Sequence, residues 1–76
     1  MSKLPVVSGK EAVKAFCRIG YRVVRQKGSD MRLRDDLHEF HQPLTIPNHK
    51  TLKPGLLRKL IHQAGITMED FNQLLK

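Results

Sequence analysis

Residues 21–34, Tyr21-Arg22-Val23-Val24-Arg25-Gln26-Lys27-Gly28-Ser29-Asp30-Met31-Arg32-Leu33-Arg34, decide the fold. Tyr21 to Gln26 is rich in β-branched and aromatic side chains, which suit a pleated strand. Lys27-Gly28-Ser29 follows as a short turn. From Asp30 the chain alternates strictly, so a strand there puts Met31 and Leu33 on a core face and Asp30, Arg32 and Arg34 on the opposite face. Two strands joined this tightly pair antiparallel, and one of their faces stays open and cationic.

Upstream, Ser8-Gly9-Lys10-Glu11 has the pattern of a capping box, with Ser8 and Glu11 each able to satisfy the other's backbone amide. Val13, Phe16 and Cys17 follow at helical spacing as a core stripe, while Lys10, Lys14 and Arg18 fall on another face. Gly20 supplies the stop, so the first helix is expected over residues 8–19. Cys17 is expected to be a small core residue rather than a nucleophile.

Downstream, Asp35 to Phe40 lacks a period and reads as a polar hairpin loop. Gln42 to Pro47 is a third strand with Leu44 and Ile46 on one face, and its prolines suggest a sheet edge. After the Pro47-Asn48-His49-Lys50 loop, Pro54 opens a helix whose Leu56, Leu57, Leu60, Ile61 and Ala64 form an apolar stripe, ended by Gly65. Thr67 and Asp70 cap a short last helix, which Phe71, Leu74 and Leu75 pack back. The class is α+β, ordered α-β-β-β-α with a short C-terminal helix: a three-stranded antiparallel sheet with helices on one face, within one domain over residues 1–76.

The chain carries 14 Lys plus Arg against 7 Asp plus Glu, a net charge of +7. Residues 12–29 hold five bases and no acid, residues 40–68 four bases and no acid, and four of the seven acids fall between Asp30 and Glu39. A field so divided attracts polyanions, above all nucleic-acid phosphate. Lys27, Arg32, Arg34, Lys50 and Lys53 are the expected phosphate contacts. With one Tyr, three Phe and no Trp, there is no aromatic platform for stacking unpaired bases, so recognition should be led by shape and charge.

A single cysteine excludes an internal disulfide and any paired-cysteine zinc motif. No apolar run approaches the roughly 20 residues that cross a bilayer, and the opening residues lack the apolar core of a secretory signal. No membrane partner is expected, and the reading is cytoplasmic. His38 and His41 offer a His-x-x-His in a loop, a weak zinc signal without a cysteine partner, so neither metal nor cofactor is expected. His62 falls on the polar side of its helix.

Several stretches in this order, Val6-Val7-Ser8-Gly9-Lys10-Glu11, Gly20 to Ser29, Ile46-Pro47-Asn48-His49-Lys50, Lys53-Pro54-Gly55-Leu56-Leu57-Arg58 and Ala64-Gly65-Ile66-Thr67, resemble the HicA family of mRNA interferase toxins nearly end to end. The resemblance implies a double-stranded-RNA-binding-domain-like fold, cleavage of messenger RNA, and neutralisation by a HicB-type antitoxin. It also implies that the residue after the Gly-Ser step, where Ser29 completes the RNA-binding turn, is the catalytic one.

That position is a histidine in the family and Asp30 here. Ribonucleolysis without a metal needs a base for the 2′-hydroxyl proton and cations to steady the phosphate. Histidine, with an ordinary pKa of roughly 6.5, suits the first task; a carboxyl group, at about 3.9, is a poor base and no acid at neutral pH. Asp30 also sets negative charge against phosphate. Impaired cleavage is therefore expected, with His49 as the substitute base. Three readings of the chain stand side by side: an impaired endoribonuclease, a non-catalytic RNA-binding module, and an interaction protein whose basic face an antitoxin covers. Apart from the resemblance, Asp30 reads as a strand-edge carboxylate paired with a neighbouring arginine.

Overall fold

The computed structural model describes residues 3–76. Six elements follow one another: α1 (Gly9–Cys17), β1 (Arg22–Lys27), β2 (Asp30–Arg34), β3 (Leu44–Pro47), α2 (Pro54–Gln63) and α3 (Met68–Leu74). The sheet has the order β1-β2-β3 with both pairings antiparallel, so β3 is an edge strand as its prolines predict, and β1 is the other edge.

Both capping boxes form. The Glu11 N–H donates to the Ser8 hydroxyl at 3.1 Å and the Ser8 N–H to Glu11 Oε1 at 2.9 Å, starting α1. Thr67 and Asp70 make the same reciprocal pair at the start of α3. α2 opens with Pro54 as expected, and its N-cap Lys53 makes no side-chain capping bond.

The core is a single cluster in which Phe16, Leu33, Leu44, Ile46, Leu57, Leu60 and Phe71 are the largest fully buried side chains. Phe16 joins α1 to α3 through Phe71, their ring centroids 5.1 Å apart. β2 alternates as the sequence demands, Met31 and Leu33 buried and Asp30, Arg32 and Arg34 exposed, because helices cover only one face of the sheet.

Three expectations change. Cys17 is exposed rather than in the core; Ala12 and Ala15 share the buried side with Phe16 instead, because small side chains let α1 sit close to the sheet. Partial burial nonetheless pushes the Cys17 thiol above its ordinary pKa, which argues against a reactive thiolate. β1 is exposed along its whole length, Val23 and Val24 included, although α1 lies against part of it. Third, Asp35 to Phe40 is no plain polar loop: Asp35 is buried and organises it.

Candidate nucleic-acid interface

The β1–β2 hairpin turns on Gly28 and Ser29, with Gly28 at φ +60, a left-handed conformation that glycine adopts without steric penalty. Register then fixes which side chains share a face. Lys27 stands opposite Asp30, Arg25 opposite Arg32 and Arg22 opposite Arg34. Because directly opposed residues point to the same side of a sheet, all six face away from the helices.

Regular alternation would not allow this, since Arg22 and Arg25 are three residues apart and should point to opposite faces. A β-bulge between Val23 and Arg25 inserts one extra residue and returns Arg25 to the face of Arg22. The bulge is therefore what gathers the cations of β1 beside those of β2. Sequence periodicity misses it, and Arg22 and Arg25 were not among the expected contacts; only the break in alternation at Val23-Val24 hints at it.

The result is a shallow concavity of about 710 Å³ whose lining includes five cations, Arg22, Arg25, Lys27, Arg32 and Arg34, and two carboxylates, Asp30 and Asp36. Thr45 of β3 borders it and accepts a hydrogen bond from Arg32 Nη1 at 2.8 Å. Arg22 is tied to Asp36 at 2.6 Å, and the same carboxylate lies 3.9 Å from Arg34 Nε. Arg25 and Lys27 have no acidic partner among the described residues.

Asp30 likewise makes no ion pair among the described residues. The acid that pairs with arginine is Asp36, so the reading of Asp30 as an ion-paired strand-edge carboxylate is not what the structure holds. Asp30 instead stands free and exposed at the first position of β2, opposite Pro47 on its other side.

Ser29 accepts the Asn48 N–H on its carbonyl at 2.6 Å, which fastens the Pro47–Lys50 loop beside the hairpin turn. His49 is exposed in that loop, its carbonyl accepting the Gly9 N–H at 2.9 Å. The substitute base proposed from sequence therefore lies one residue beyond the contact that joins loop and turn. Lys50 and Lys53 are exposed between this loop and α2 and do not line the concavity, nor does Ser29.

Beside this face, the structure brings His38 and His41 together. Each directs Nδ1 at Asp35 Oδ2, at 2.7 and 2.8 Å. Burial alone would raise the Asp35 carboxyl pKa, but hydrogen bonds from His38 and His41 and from the Leu37 N–H outweigh it and hold the group well below the usual carboxylate range.

A free carboxylate set among cations on an open sheet can bind phosphate only weakly at that point, while the cations around it can hold an extended polyanion. Comparison with known families gives a match over residues 9–66 to the family described as HicA toxin of bacterial toxin-antitoxin. No curated protein and no solved structure matches the chain. No described helix is long and apolar enough to cross a membrane.

Proposed function

Because the chain belongs to the HicA toxin family of bacterial toxin–antitoxin systems, we propose that it is a metal-independent endoribonuclease acting on messenger RNA, impaired at its catalytic position, and paired with a HicB-type antitoxin. The observation that carries this reading is the placement of Asp30. It follows directly on the Gly28-Ser29 turn, exposed and without an ion pair among the described residues, on the face that holds Arg25, Lys27, Arg32 and Arg34.

The chemistry would run on that face. RNA lies across the concavity with its backbone held by these cations, while Ser29, Lys50 and Lys53 extend the contact around the turn and its neighbouring loop. A base at position 30 takes the proton from a 2′-hydroxyl, and the freed oxygen attacks the adjacent phosphate. The cations offset the charge that grows on the phosphate oxygens as the bond to the leaving 5′-oxygen breaks. A histidine there can be neutral and basic near pH 7. Asp30 is a far weaker base and repels the substrate, and His49, in the loop fastened to the turn, is the remaining candidate base.

The experiment is expression of the Asp30→His variant in growing cells, with and without a co-expressed HicB-type antitoxin. Growth arrest that the antitoxin relieves is the expected result. Cells that grow unimpeded while producing soluble, folded variant would contradict the reading. The vacant catalytic role also favours a second reading, RNA binding without chemistry; it predicts salt-sensitive RNA binding by both forms and cleavage by neither.

A further inference from the structure

The seven residues from Asp35 to His41 hold a feature that the basic face does not use. Asp35, His38 and His41 recur at every third position, and one donor atom of each converges so that all three lie within 4.8 Å of one another. We infer that Asp35, His38 and His41 form a binding site for a divalent transition-metal ion, with zinc as the best fit, which fixes the connection between β2 and β3. The inference is independent of any ribonuclease activity.

The donor set comes first. Two imidazole nitrogens are borderline ligands and the carboxylate oxygen is a hard one, and a set in which imidazole predominates suits zinc and its transition-metal neighbours rather than magnesium or calcium. Both imidazoles present the same atom, Nδ1, to the same oxygen, Asp35 Oδ2. Ligand bonds of roughly 2.0–2.1 Å in tetrahedral geometry put neighbouring ligand atoms about 3.3 Å apart. The observed 2.7 and 2.8 Å therefore need only a slight opening.

The surroundings hold these groups ready. Asp35 Oδ1 accepts the backbone N–H groups of Leu37 at 2.8 Å and His38 at 3.3 Å, which fixes the carboxylate's orientation and leaves Oδ2 for the imidazoles. The His41 ring is stacked on Tyr21 with centroids 5.0 Å apart, and the His41 backbone N–H donates to the His38 carbonyl at 3.0 Å, which holds the turn that carries both imidazoles. Gly20 completes the enclosure, because a Cβ there would collide with Asp35 Oδ2. Such outer contacts orient metal ligands and raise affinity.

Access is also present. The side chains of Asp35 and His41 are 1% and 5% exposed, but that of His38 is 45% exposed, so an ion and its fourth, water, ligand can enter from the His38 side. A hydrogen-bonded hub alone would explain the contacts within Asp35, His38 and His41. The metal reading adds that the hub opens to accept an ion, and this is measurable.

The test uses the untagged full chain, freed of metal by chelator and exchanged into chelator-free buffer. Zinc chloride titrated by calorimetry should bind at one equivalent and raise the melting temperature as its concentration rises. Nitrogen NMR of the unmodified chain should move the imidazole signals of His38 and His41 and leave those of His49 and His62 in place. His38→Ala should weaken binding roughly tenfold or more, and His62→Ala should not change it. No saturable zinc binding, or zinc shifts confined to His49 or His62, would overturn the assignment.

Discussion

The carboxylate of Asp30 stands unpaired among cations on the surface, and the phenol of Tyr21 stands buried at the margin of the core; each makes a demand that can be measured. Tyr21 donates its hydroxyl to the Gln42 carbonyl at 2.7 Å. Burial, reinforced by the charge of nearby Asp35, pushes its pKa up to about 12. Because it is the one tyrosine and there is no tryptophan, absorbance at alkaline pH reports it alone. Ionisation should appear near pH 12 or coincide with alkaline unfolding. Since the folded pKa exceeds the ordinary value of about 10, the folded form binds the proton more tightly. The stabilisation this gives is complete below about pH 10 and falls as pH rises towards 12. A tyrosine that titrates near 10 in the folded chain would show that the Tyr21–Gln42 contact is not maintained.

At the scale of elements, the helices were the most legible from sequence. Their caps are local, so Ser8-Glu11 and Thr67-Asp70 could be read from spacing and both appear as reciprocal hydrogen bonds. The strands and their order were also legible, because Met31 and Leu33, and Leu44 and Ile46, alternate as one-sided sheets require. The bulge in β1 was not, since it depends on pairing across the hairpin rather than on the strand's own pattern. The Asp35 hub was hidden for a related reason: an aspartate becomes buried only when histidines three and six residues on fold back to it. Of the proposed site, position 30 and its neighbours Lys27, Arg32 and Arg34 could be placed from sequence, whereas Arg22 and Arg25 could not.

α3 carries a contact that belongs to this scale. Arg18, just beyond α1, donates Nη1 to the carbonyls of Leu74 at 3.0 Å and Lys76 at 2.7 Å. A cation there satisfies carbonyls left open by the end of α3 and meets the negative end of its dipole. Arg18→Ala should cost about 1 kcal/mol, read as a lower urea midpoint at unchanged slope. An unchanged midpoint would mean that water replaces the arginine at no cost.

At the scale of the molecule, the sheet divides the protein into a helix-covered face that supplies the core and an open face that collects charge. Cations on an exposed edge strand such as β1 can serve a simpler purpose, discouraging edge-to-edge pairing with another chain. Salt dependence separates the two roles. If the face binds RNA, affinity falls linearly with salt on logarithmic axes, and Arg25→Ala and Lys27→Ala each reduce the slope by about 1. Lys59→Ala, on α2, should leave the slope nearly unchanged. Equal slopes for all three variants would reduce Arg25 and Lys27 to edge protection.

The central claim is that a base belongs at position 30 on this face and that Asp30 serves badly in its place. The most direct measurement compares kcat/KM for one messenger RNA between the chain as it stands and Asp30→His, with chelator present throughout. A positioned general base is worth roughly 10²–10⁴-fold, so the histidine variant should cleave faster by a factor in that range without added metal. Equal rates for the two proteins, or no cleavage by a folded, RNA-bound Asp30→His, would contradict it.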